Sequence, residues 1–136
     1  MNKLSILAMK AMRRIKLKYA TWYNTTSFLS GLQSHGGNIH VGERIVLWND
    51  QVSVGSNTNV YNNVVFWGSA PIKVGSNCEI GFNTIMHSSD AIEIGNNTSL
   101  AANCYIIDSN HGIGKDQLIR LQNKVIKGPV IIGEDV

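Results

Sequence analysis

The chain is poor in cysteine. It has two, Cys78 and Cys104, 26 residues apart and without Cys-x-x-Cys spacing. That spacing argues against a disulfide framework or a thiolate metal site, and core filling is their expected role. Cysteine usage of this kind suits the cytosol. No run of eighteen apolar residues occurs, so no transmembrane helix is expected. The first twenty residues contain no acidic side chain, and their charges interrupt any apolar core of the kind a signal peptide needs. Charge of one sign is also scarce overall. The formal net charge of +3 is modest, and nucleic-acid binding does not follow from it. With 136 residues the chain is long enough for one domain.

What is present is a repeat of twenty residues. Val54-Gly55-Ser56-Asn57-Thr58 returns as Val74-Gly75-Ser76-Asn77-Cys78 and again as Ile94-Gly95-Asn96-Asn97-Thr98. A second aliphatic position follows at Val60, Ile80 and Leu100, and a third anchor at Phe66, Met86 and Ile106. Val52, Ile72 and Ile92 make a further file, and smaller residues make two more: Thr58, Cys78 and Thr98, then Val64, Thr84 and Cys104. Anchors six residues apart leave room for two or three residues per face before a corner, which excludes the helical repeats. Repeats this short cannot bury their own apolar side and must stack. The expected fold is an all-β solenoid, a parallel β-helix. Asn and Gly suit its corners because both tolerate positive φ, and Val, Ile, Thr and Phe suit its strands. Ile39, Val41-Gly42, Ile45 and Leu47 read as an imperfect first coil.

Residues 1 to 20 carry Lys3, Lys10, Arg13, Arg14, Lys16 and Lys18, with Leu4, Leu7, Ala8, Ala11, Met12, Ile15 and Tyr19 recurring at three and four. This predicts a short amphipathic helix. Its apolar face could pack on the solenoid or on a neighbour, or lie on an anionic membrane surface. Residues 21 to 38 read as an irregular lead-in, with turns at Gly31, Gly36 and Gly37. The expected division is 1–38 for helix and lead-in and 39–136 for the β-helix. The chain stops at Ile132-Gly133-Glu134-Asp135-Val136, inside a new repeat. Solenoids need a cap, so further coils are expected beyond Val136, or a partner subunit over that end. Regularity breaks after Ile107. From Ile94 to Ile132 is 38 residues where two coils would take forty, and Gly112 and Gly114 favour an extruded loop near 109–127. Loops on a rigid scaffold are where binding and chemistry concentrate.

The runs from Val54 to Thr58, Val74 to Thr84 and Ile94 to Thr98, with Ile132-Gly133, resemble the hexapeptide-repeat acyltransferases. The resemblance implies a left-handed β-helix; the hand itself does not follow from the spacing. Asp108-Ser109-Asn110-His111, a loop, then Pro129-Val130-x-Ile132-Gly133 is similar to the active-site segment of sugar O-acetyltransferases in that group. It implies acetyl-CoA as acyl donor, a sugar or polysaccharide hydroxyl as acceptor, no metal, a homotrimer, and clefts between adjacent subunits. His111 would be the general base, since imidazole titrates near neutrality. Asp108 or Asn110 could orient the ring, and Asp108 could instead make the turn. Lys124 and Lys127 could meet CoA phosphates. His87 and Trp67 are candidate acceptor contacts, with His87 at a different circumferential position from His111. Trp67 would point outward or occupy a corner, where it could stack on a sugar or fill an interface. A cytoplasmic location is implied, with peripheral contact at the inner membrane face through the first helix.

Three other activities weigh against this one. An N-acetyltransferase acting on a nucleotide-sugar amine would share the repeat. A γ-class carbonic anhydrase would need three histidines on zinc, and this chain offers His87 and His111 with Asp116. A serine acetyltransferase would carry a larger helical amino-terminal domain. A scaffold without catalysis is the non-enzyme alternative. An ice-facing solenoid would need a flat Thr-x-Thr file, which is not present.

Overall fold

The computed structural model describes residues 3–136. The start of the expected helix, residues 1 and 2, lies outside the described residues, as does the side chain of Lys3. From Ser34 onward the chain winds as a parallel β-solenoid of about four turns, each with three short strands. The first face stacks β1 (Ser34–His35), β4 (Val52–Val54), β7 (Ile72–Val74), β10 (Ile92–Ile94) and β15 (Val130–Ile132). The second stacks β2 (His40–Val41), β5 (Asn59–Val60), β8 (Glu79–Ile80) and β11 (Ser99–Leu100). The third stacks β3 (Val46–Trp48), β6 (Val65–Gly68), β9 (Ile85–Ser88) and β12 (Tyr105–Ile107).

The register follows the sequence period. Val54 pairs with Val74 and Val74 with Ile94; Val60 pairs with Ile80 and Ile80 with Leu100; Phe66 pairs with Met86 and Met86 with Ile106. The first coil is one residue shorter, so that Val41 sits under Val60 at a separation of nineteen. Val52, Val60, Phe66, Ile72, Ile80, Met86 and Ile92 are fully buried along the axis. The small-residue file works differently from plain filling. Thr58 Oγ1 donates to the Gly75 carbonyl at 3.0 Å, Cys78 Sγ to Gly95 at 3.2 Å and Thr98 Oγ1 to Gly133 at 2.9 Å. Each buried hydroxyl or thiol thereby satisfies itself on the coil above. Cys78 is buried, whereas Cys104 is only half-buried.

The corners divide their work between Asn and Gly in a way the sequence reading merged. Asn57, Asn77 and Asn97 take φ of 57°, 57° and 60°, and Asn63, Asn83 and Asn103 take 62°, 59° and 64°. An Asn tolerates the left-handed region better than other side chains. Here each also bonds to its counterpart one coil away, as from Asn57 Nδ2 to Asn77 Oδ1 at 3.2 Å and from Asn63 to Asn83 at 2.8 Å. Gly55 has no positive φ. A Cβ there would stand 2.5 Å from the Gly75 carbonyl carbon and the Ser76 nitrogen, so close coil stacking demands the glycine.

The amino-terminal helix, α1 (Lys3–Gly31), is 29 residues long and continues through most of the segment expected to be an irregular lead-in. Residues 21–31 are rich in Thr and Ser, which are weak helix formers. Two of these hydroxyls bond within the helix, Thr21 Oγ1 to the Leu17 carbonyl and Ser30 Oγ to the Ser27 carbonyl. Docking settles the matter. Phe28 is buried and its ring lies 5.7 Å from that of Phe66, centroid to centroid, while Leu29 and Leu32 pack on the same cluster. The carboxyl-terminal part of α1 thus covers the first coil. The solenoid starts at β1, five residues before the boundary expected at residue 39.

Candidate functional site

The break in the repeat is an arm. β10 pairs directly with β15, Ile92 beside Val130, at a separation of 38 residues against 20 for the coil below. One coil plus about eighteen extra residues therefore fills the interval, and the extra residues leave the stack. They form an antiparallel hairpin of β13 (Ser109–His111) and β14 (Lys124–Ile126), with a 3₁₀ turn at Ile119–Leu121. Gln122 closes the loop. Its Oε1 accepts from Gly114 N at 2.8 Å, and its Nε2 donates to the carbonyls of Gly114 and Gln117 at 2.8 and 2.9 Å.

Asp108 roots the arm. It is 3% exposed, and its carboxylate accepts from Ser89 N at 2.8 Å and Asp90 N at 2.7 Å, with Ser88 Oγ at 3.4 Å. Its own carbonyl accepts from Lys127 N at 3.2 Å. Burial pushes the Asp108 carboxyl up, but the N–H groups of Asp90, Ser89 and Ala91 and the Ser88 hydroxyl outweigh it and leave the group below its ordinary value. Of the two roles open to Asp108 in the sequence, the carboxylate takes the turn-making one. It makes no hydrogen bond to the imidazole of His111. Asn110 does not either: its Oδ1 accepts from the backbone N–H of His111 at 2.8 Å. Among the described residues none hydrogen-bonds the His111 ring.

His111 stands exposed at the end of β13, directly opposite Lys124 in the hairpin ladder. Between the arm and the third face lies a cleft of about 790 Å³. Trp67, His87, Tyr105, His111, Gln122 and Lys124 are among the residues that line it. Trp67 and His87 share one outward file, in register on adjacent strands, and their rings stack at 4.3 Å and 11°. Trp67 thus points outward from mid-strand and does not occupy a corner. Burial and then the Lys124 ammonium hold the His87 imidazole below its ordinary 6.5, against an opposite pull from Asp108, so the ring is neutral at pH 7. His87 and His111, at different positions around the coil, line one cleft because the arm folds back over the face.

Of the lysines named from the sequence, Lys124 lines this cleft and Lys127 does not. Tyr105, Ser109 and Gln122 were not anticipated. Tyr105 had a readable signal, since it falls one repeat after Ile85 in an outward-flanking file. Gln122 had none, because its partners belong to a loop without periodicity. Among the described residues no three His, Cys, Asp or Glu side chains stand together to hold a metal ion, and no helix is long and apolar enough to cross a membrane.

The fold and cleft define a parallel β-solenoid with a histidine-lined groove beneath a hairpin arm. No protein-family model matches the chain, and neither a curated protein nor a solved structure does.

Proposed function

We propose that this chain transfers an acetyl group from acetyl-CoA to a hydroxyl of a sugar or polysaccharide precursor, with His111 as general base. The observation that carries the reading is the position of His111. It is held on a rooted arm, in a cleft whose opposite wall is a stacked Trp67–His87 pair with Tyr105 beside it. Aromatic faces of this kind suit the apolar face of a sugar ring, and the volume lies in the range of small-molecule sites. The resemblance of the repeat and of Asp108 to His111 to the sugar O-acetyltransferases supports the same chemistry.

The acceptor hydroxyl lies within reach of the His111 imidazole, which takes its proton as the oxygen attacks the thioester carbonyl. The new C–O bond forms, the C–S bond breaks, and the proton held on the ring passes to the departing thiolate. Asn110 supports this by fixing the backbone of His111, and Asp108 by fixing the root of the strand. Lys124 offers a cation to a phosphate of the donor. The neutral His87 serves as a flat, polar-edged surface for the acceptor, stacked on Trp67. The reading also takes a left-handed winding, a cytoplasmic setting and a trimer from the resemblance. Ile113, Leu118, Ile119 and Leu121, all exposed on the arm, are the apolar surface a neighbouring copy would cover.

The test is transfer of labelled acetate from acetyl-CoA to a panel of sugars and glycans, with His111→Ala alongside. The expected loss in the variant is about 10²- to 10⁴-fold. A loss below tenfold removes His111 as the base. Transfer by the wild type to amino sugars alone replaces hydroxyl by amine as the acceptor.

A further inference from the structure

We propose that α1 is a surface-binding helix that lays its free apolar stripe on an anionic phospholipid bilayer. Phe28, which holds α1 to the first coil, marks the side of the helix that faces the solenoid. Leu4, Ala11, Met12, Ile15, Tyr19 and Trp22 fall within an arc of about 100°. The centre of that arc lies about 150° round the helix from Phe28 at 3.6 residues per turn. Most of the stripe therefore points away from the coil, and only its Ala11 edge is in line with Leu29, which packs on the core. Leu4 is 80% exposed, Ile15 69% and Trp22 61%, and every residue from 6 to 19 is exposed. Among the described residues nothing covers this surface.

Charge identifies the occupant. Lys10, Arg13, Arg14, Lys16 and Lys18 all lie outside the apolar arc, and the chain has no acidic residue before Glu43. Lys16 and Lys18 flank the arc, whereas Lys10, Arg13 and Arg14 lie nearer the Phe28 side. A second α1 paired along the stripe would set Lys16 and Lys18 of each copy beside the seam with no carboxylate on either helix to offset them. An anionic lipid surface offsets them. Their long side chains can reach from beside the stripe to headgroup phosphates, and Tyr19 and Trp22 close the stripe with rings that favour the lipid–water boundary. The helix carries too much charge to span a bilayer and lies along its surface instead. The inference is independent of the acetyl-transfer reading, because it rests only on α1.

The experiment is co-sedimentation of the full chain with vesicles of phosphatidylcholine, alone or mixed with phosphatidylglycerol, at low and high salt. Trp22 emission is followed in a Trp48→Phe, Trp67→Phe background. Binding is expected to the anionic vesicles only, weaker at high salt, with a blue shift of Trp22. The double change Lys16→Gln and Lys18→Gln should weaken binding by about 30-fold, at the usual contribution of a basic residue beside an anionic membrane. It leaves the apolar stripe intact. Ile15→Asp should abolish the blue shift while circular dichroism and thermal unfolding stay as in the wild type, since Ile15 touches no core. Equal binding to both vesicle types, no binding to either at low salt, or wild-type binding by Ile15→Asp would each overturn the proposal. So would an oligomer that Ile15→Asp dissociates without any vesicle partition, which would make a second copy the occupant.

Discussion

Replacing Asp108 by alanine separates the two jobs its carboxylate could do. In the structure it satisfies two backbone donors of the preceding coil, Ser89 N and Asp90 N, and makes no hydrogen bond to the His111 imidazole. A hydrogen bond to a charged group contributes about 1.5–3 kcal/mol net. Ser89 is half-buried and Asp90 exposed, so the freed N–H groups regain some water and the lower end applies. Two such bonds make the expected loss about 3 kcal/mol, or a fall in Tm of about 10 °C for a chain of this size. Asp108→Asn keeps one acceptor oxygen and should lose about half as much. The sign with pH follows from the depressed carboxyl. A folded-state value below the ordinary 3.8 means the stabilisation is present above that value and lost as pH falls through the folded one. The gap between wild type and Asp108→Ala should therefore be constant near neutrality and close in the acid range below about 4. Urea unfolding from pH 7 to pH 2.5, followed by circular dichroism, measures it. A variant within about 0.5 kcal/mol of wild type at pH 7 would refute the reasoning. So would an unchanged Tm with acetyl transfer lowered by about 10²-fold, which would put the carboxylate to work on the ring of His111.

Two further substitutions probe how the scaffold is held. Phe28→Ala removes the ring that packs on Phe66 and should cost about 3 kcal/mol, with faster hydrogen exchange along residues 20–31 than in the wild type. Retained protection there would mean that Leu29 and Leu32 dock the helix unaided. Gly68→Ala places a Cβ against the Ser88 carbonyl at a φ of +112°, and should cost roughly 2–4 kcal/mol. Gly128→Ala has a φ of +113° but open space around it, so only the backbone strain remains, about 1 kcal/mol. Equal losses in thermal unfolding would show that the close approach of the neighbouring coil contributes nothing.

The twenty-residue period was enough to determine the stack, because burial in a solenoid is set by which residues share a file. Val54, Val74 and Ile94, or Phe66, Met86 and Ile106, had to meet whatever surrounded them. The same arithmetic puts Trp67 and His87 twenty residues apart, yet the sequence reading left Trp67 between an outward position and a corner, and it singled out His111 as a candidate because the files stop there. What lay beyond reach was everything decided by contact between parts without a common period. The helix runs on to Gly31 because Phe28 finds Phe66, against the local preference of its Thr and Ser residues. Asp108 holds backbone rather than imidazole because coil stacking sets it beside Ser89 and Asp90. His87 and His111 line one cleft only because an eighteen-residue arm leaves the stack and turns back over the third face. A periodic pattern specifies neighbours one coil apart, and an aperiodic excursion acquires its neighbours only when the chain is folded.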